Sequence, residues 1–186
     1  MNYILAMLLP MKLWLPYTGF KLFYEQLEYC NLPLEDVLDG LYSPPVIVLY
    51  RENLLETYVS LEIAVQTNFW YSREKVNNCS VKVDWNMFYL YAEREKRRWK
   101  EAMTALRGVK KVVISYDELT GSQQDKTVHK LFAFLNLMSD QDQPVVVKSV
   151  RQNPLQLEKK VVNYDEIMEQ AQEVGYSILL NLNSFQ

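Results

Sequence analysis

Apolar positions along this chain follow two periods, short unbroken runs and stripes at helical spacing. The segment "TGFKLFY" (18–24) reads as a short strand with Gly19 at its start. "EQLEYCNLPLEDVLDGLY" predicts helical turns broken near Pro33, with Leu34, Val37, Leu38 and Leu41 at helical spacing and Gly40 at the close. "VIVLY" (46–50) is a continuous apolar run, the pattern of a central parallel strand covered on both faces. Over 54–66, Leu54, Leu55, Tyr58, Val59, Leu61 and Val65 make one broad apolar stripe. Periodicity then lapses over 67–83, which predicts a long loop. Residues 84–106 give the clearest helix, with Asp84 as its cap and Trp85, Phe88, Ala92, Trp99, Met103 and Leu106 on its buried side. The run "EREKRR" inside that helix is expected to be a solvated face of alternating charge. A strand at 111–115, a helix from Thr127 to Leu137 and a last helix near 163–172 complete the pattern. Strands alternating with helices predict an α/β fold, one domain over 1–186. Its small, mostly parallel sheet should hold 19–23, 46–50 and 111–115 as adjacent, buried strands with flanking helices.

Composition narrows the function classes. Hydrophobic residues are 49% and charged residues 23%, so the chain can build an ordinary core and disorder is not expected. A net charge of −3 supplies no global basic field for nucleic acid, so any anion site must be local. Cys30 and Cys79 show neither metal spacing nor a disulfide framework, and His129 is the one histidine, so no metal site is expected. A reducing, cytoplasmic compartment fits that usage. The most apolar segment, "MNYILAMLLPMKLWLPY", is interrupted by Pro10, Lys12 and Pro16. It falls short of the roughly 20 continuous apolar residues that a transmembrane helix needs. It also lacks a basic leader and a small-residue cleavage site, so a buried or loosely settled soluble segment is expected.

The chemistry centres on "VIVLYRENLLETYVSLEIA" (46–64). In an open parallel sheet, ligands bind beyond the carboxyl ends of the strands, and Arg51 stands at such an end. Its guanidinium offers a rigid fork of donors suited to phosphate, and Ser60 adds a hydroxyl from the next helix. Two alternatives stay open on spacing alone. The pair could grip one dianionic group, or Arg51 could pair with Glu52 or Glu56.

"LYRENLLETYVSLEIAVQTNFW" resembles the 3′-phosphate-binding segment of sulfotransferases that use 3′-phosphoadenosine 5′-phosphosulfate, in particular the bacterial, nodulation-type branch. Arg51, Asn53, Leu55 and Ser60 match that motif one by one. "GFKLFYEQ" (19–26), "VVISYDELTGSQQDKTVHKLFAFLNL" (112–137) and "RQNPLQLEKKVVNYDEI" (151–167) are similar to other family segments in the same order. The resemblance covers about residues 18–170. It implies a P-loop-NTPase-like sulfotransferase fold, with Arg51 and Ser60 on the cofactor's 3′-phosphate and Lys148 and Arg151 as further cations there. It also implies sulfuryl transfer to a small-molecule, glycan or lipid hydroxyl, or to an amine. Phe69, Trp70 and Tyr71 would wall the acceptor pocket. The family's Gly-rich 5′-phosphosulfate loop is missing, since none of Gly19, Gly40, Gly108, Gly121 and Gly175 lies in such a loop. An N-terminally truncated form is therefore expected, with no identifiable catalytic base and with nucleotide recognition outlasting transfer. Lys21 stands where the family places a base-bearing strand, and a structural role is expected for it. The rival readings are a non-catalytic interaction module that keeps the fold and a nucleotide hydrolase or kinase. The absence of GxxxxGK[ST] argues against the latter.

Overall fold

The computed structural model describes residues 4–9, 18–70, 79–137 and 156–180; all structural statements below concern these. They form two compact units, the first from 4–9, 18–52 and 97–137, the second from 53–70, 79–96 and 156–180.

The first unit is built on a four-stranded sheet in the order β2-β1-β3-β4, with β1 at Ile4–Leu9, β2 at Thr18–Phe23, β3 at Val46–Tyr50 and β4 at Lys111–Ser115. β3 and β4 pair in parallel as expected, from Val46 beside Lys111 to Tyr50 beside Ser115. The rest of the sheet corrects the sequence reading. Residues 4–9 form a strand that enters between β2 and β3 and runs antiparallel to both. The sheet is therefore mixed rather than mostly parallel, and 18–23 is not adjacent to 46–50. The physical reason is backbone pairing: a six-residue strand inserted there satisfies the ladder on both sides. β2 consequently lies at the sheet edge, where Phe20 and Lys21 are exposed rather than buried. Along β3, Val46, Val48 and Tyr50 are buried while Ile47 and Leu49 are half-buried, so burial alternates with the pleat instead of covering both faces equally.

Helices α1 (Tyr24–Cys30) and α2 (Leu34–Gly40) follow β2. Asn31 closes α1 in the left-handed region at φ 48°, and Pro33 sets the start of α2. After β4 come the short α5 (Tyr116–Thr120) and α6 (Gln124–Phe134). In the second unit, α3 (Leu54–Thr67) buries Leu54, Leu55, Tyr58, Val59 and Ile63. The Tyr58 ring lies 5.8 Å from Phe88 and 5.1 Å from Tyr91 on α4 (Trp85–Ala105), a helix that contributes residues to both units. Asp84 caps α4 as expected, accepting from the Met87 amide at 3.0 Å. Near the end of the described chain, α7 (Leu157–Lys160) leads through a turn to α8 (Tyr164–Glu173). The Asn163 side chain both accepts from and donates to the Val83 backbone at 2.9 Å, clamping the approach to α4.

The charge run on α4 is a second correction. Glu93, Arg94 and Arg97 are exposed as expected, but Glu95 is 0% and Arg98 is 3% exposed. Arg98 reaches Glu25 through Nη1 at 2.9 Å and holds Glu28 through Nε at 3.0 Å and through Nη2, tying α4 to α1. A buried guanidinium is tolerable because two carboxylates receive its planar fork.

Candidate functional site

At the rim of the first unit's sheet, β3 and β4 end side by side, with Tyr50 paired to Ser115. β2 runs in the same direction as β3, because each is antiparallel to β1, and Ile4 faces both Phe23 and Leu49. The residues that follow these strands, Tyr24, Arg51 and Tyr116, therefore leave the sheet at one edge. That edge is where α/β sheets place ligands.

Local sequence fixes Tyr116 there. Ser115 Oγ accepts from the Glu118 amide at 3.1 Å, and Glu118 Oε2 accepts from the Ser115 amide at 2.7 Å. This reciprocal cap starts α5 directly at Tyr116. Arg51 Cζ then sits 3.9 Å from the centroid of the Tyr116 ring. Glu52 does not pair with Arg51, and within the second unit Glu56 meets Lys160 at 3.4 Å. Among the described residues Arg51 has no ion-pair partner, so its face is occupied and its N–H edge is not. The surroundings are not uniformly positive. The Tyr50 hydroxyl is pushed above its ordinary value by burial first and then by Glu52, Glu118 and Asp117. An anion at this rim would depend on direct contact with the fork rather than on a general positive field.

The other motif residues belong to the second unit. Asn53 caps α3, its Oδ1 accepting from the Glu56 amide at 2.9 Å. Leu55 is fully buried, a core residue. Ser60 is half-buried, and its hydroxyl donates to the Glu56 carbonyl at 2.8 Å. The Ser60 hydroxyl must rotate away from the helix before it can donate elsewhere. Lys148, Arg151 and Tyr71 lie outside the described residues. Phe69 and Trp70, just after α3, are 52% and 55% exposed. Lys21 is exposed on the edge strand, and His129 is half-buried on α6.

Three residues escaped the sequence reading of the site. For Tyr116, direct succession to β4 was the available signal. Lys160 is 2% exposed and pairs with Glu56 on α3. Tyr24, at the end of β2, donates its hydroxyl to Glu101 at 2.9 Å. With Leu27, Glu28, Leu34 and Arg97 it helps line a cleft of about 630 Å³. Among the described residues no group of His, Cys, Asp and Glu could hold a metal ion, and no helix is long and apolar enough to cross a membrane. Comparison with protein-family models, with curated proteins and with solved structures gave no match to this chain.

Proposed function

We propose that this chain is a sulfotransferase-type protein that recognises 3′-phosphoadenosine 5′-phosphosulfate through its 3′-phosphate, with Arg51 as the primary anchor. One observation carries the reading: a half-buried arginine at a strand's carboxyl end, its face fixed on Tyr116 and its donor edge without a partner among the described residues. Such an edge suits a phosphate oxygen pair, and stacking fixes the plane before the ligand arrives. The family resemblance also assigns Ser60 to the nucleotide, and its hydroxyl must turn from the Glu56 carbonyl to donate to a ligand. The same resemblance assigns Lys148 and Arg151 to the 3′-phosphate.

When bound, the cofactor supplies an activated sulfuryl group for in-line transfer to a hydroxyl or amine acceptor. The chain's own residues bind and orient the nucleotide. The cleft beside Tyr24, with an apolar floor at Leu27 and Leu34 and carboxylates at Glu28 and Glu101, is the proposed acceptor side. A second reading, a non-catalytic interaction module, is favoured by Met87 and Leu90, which stand 58% and 64% exposed three residues apart on α4.

Titration calorimetry with 3′-phosphoadenosine 5′-phosphate and adenosine 5′-monophosphate separates the readings. The proposal expects the 3′-phosphorylated nucleotide to bind about ten- to a hundred-fold more tightly, the value of one charge-assisted phosphate contact. Equal affinities, or no binding of either, would leave the interaction module.

A further inference from the structure

We infer that residues 176–180 form a strap that positions helix α3, with Tyr176 as its latch. On the reading proposed above, that helix carries Ser60, one of the residues assigned to the nucleotide. The strap begins where α8 ends. Gly175 takes φ 62°, the left-handed conformation that glycine adopts without strain, and the Tyr176 amide donates back to the Ala171 carbonyl at 2.7 Å. The chain is thereby turned onto the first turns of α4. There the Tyr176 ring lies edge-on to Trp85 at 6.0 Å and 4.9 Å from Tyr89. Its hydroxyl donates to Glu93 Oε1 at 2.6 Å. Lys96 Nζ covers the ring at 3.7 Å and donates to the Ser177 carbonyl at 3.3 Å. Four side chains of one helix thus fasten one tyrosine.

From that fixed point the strap reaches the start of α3. Asn53 pairs antiparallel with Leu179, the Leu54 amide donates to the Ile178 carbonyl at 2.9 Å, and Leu180 is buried. The first amides of any helix lack partners within it. Here Asn53 Oδ1 takes the amide of Glu56 and the strap takes that of Leu54. Half of the cap of α3 is therefore supplied by a segment remote in sequence, whose hold depends on the Tyr176 contacts. Burial, then Glu93, keeps the Tyr176 hydroxyl protonated well above the usual range, so the latch donates throughout the neutral range.

Hydrogen exchange on the full chain tests the strap. Tyr176→Ala should speed exchange of the Leu54, Leu55 and Glu56 amides by about ten-fold, and Tyr176→Phe by less, because Phe retains the ring contacts. The Val48 and Val113 amides should keep wild-type protection in both variants. Affinity for 3′-phosphoadenosine 5′-phosphate should fall in the same order, whereas adenosine 5′-monophosphate should respond little. Unchanged exchange at 54–56 in Tyr176→Ala, equal loss of protection in β3 and β4, or tighter nucleotide binding would each overturn the inference. If wild type binds no nucleotide, the phosphate reading of Arg51 fails, and exchange still decides whether the strap caps α3.

Discussion

Arg51 is held by an aromatic face rather than by a carboxylate, and that choice governs what it can do. An arginine paired to an acid offers little to a ligand, whereas one stacked on Tyr116 keeps its donor edge available. Tyr116→Leu should therefore weaken 3′-phosphoadenosine 5′-phosphate binding by about two- to five-fold, a smaller loss than removal of Arg51 itself, as read by calorimetry. A second residue-scale prediction concerns Tyr58, whose hydroxyl is pushed up to about 12 by burial and then by Glu62 and Asp84. The folded state keeps this proton where the unfolded state, near 10, has lost it. The unfolded state thus binds fewer protons in that window, so stability falls as pH rises through it. Stability from Tyr58 should be fully present below about pH 10 and lost towards pH 12. Urea unfolding at pH 8 and 11 should show a smaller drop in Tyr58→Phe than in wild type; an equal drop would assign the alkaline loss to other groups. The placement of Arg51 was legible, because the apolar run 46–50 stops at it. Its stacking on Tyr116 was not, because that contact depends on the register of two strands distant in sequence.

Among the elements, α4 shows how charge type can obscure phase. Phe88, Ala92, Glu95, Trp99, Ala102 and Leu106 are all buried and recur at steps of three and four, so the inward stripe runs straight through the charged segment. The spacing was visible in the sequence, but the acid and arginine types argued for solvent. What resolves the conflict for Arg98 is α1, which brings Glu25 and Glu28 to it, a pairing that no local pattern reveals. Arg98→Ala should lower the stability of the fold by about 1–3 kcal/mol, since it removes the buried guanidinium's charge-assisted contacts while Glu25 and Glu28, 38% and 39% exposed, can turn to water. Chemical denaturation measures this, and a loss below about 1 kcal/mol would mean that the contact behaves as a surface pair. The helices at 54–66 and 84–106 were readable because long stripes and caps agree. β1 was not, since an apolar run ending at Pro10 carries no mark of whether it spans, packs or pairs.

Across the whole molecule, strand direction matters more than strand count. The sheet is mixed, yet β2, β3 and β4 point the same way and release Tyr24, Arg51 and Tyr116 at one rim. The sequence predicted α/β architecture and the parallel β3–β4 pair; the antiparallel insertion of β1 altered adjacency without altering which residues leave that rim. With a net charge of −3, recognition there must be local, and one guanidinium carries the central claim. The direct test is a calorimetric cycle crossing Arg51→Ala with removal of the nucleotide's 3′-phosphate. The coupling should be about 1.5–3 kcal/mol: the substitution weakens 3′-phosphoadenosine 5′-phosphate about ten- to a hundred-fold and leaves adenosine 5′-monophosphate nearly unchanged. Equal losses for the two nucleotides, or none for either, would contradict it.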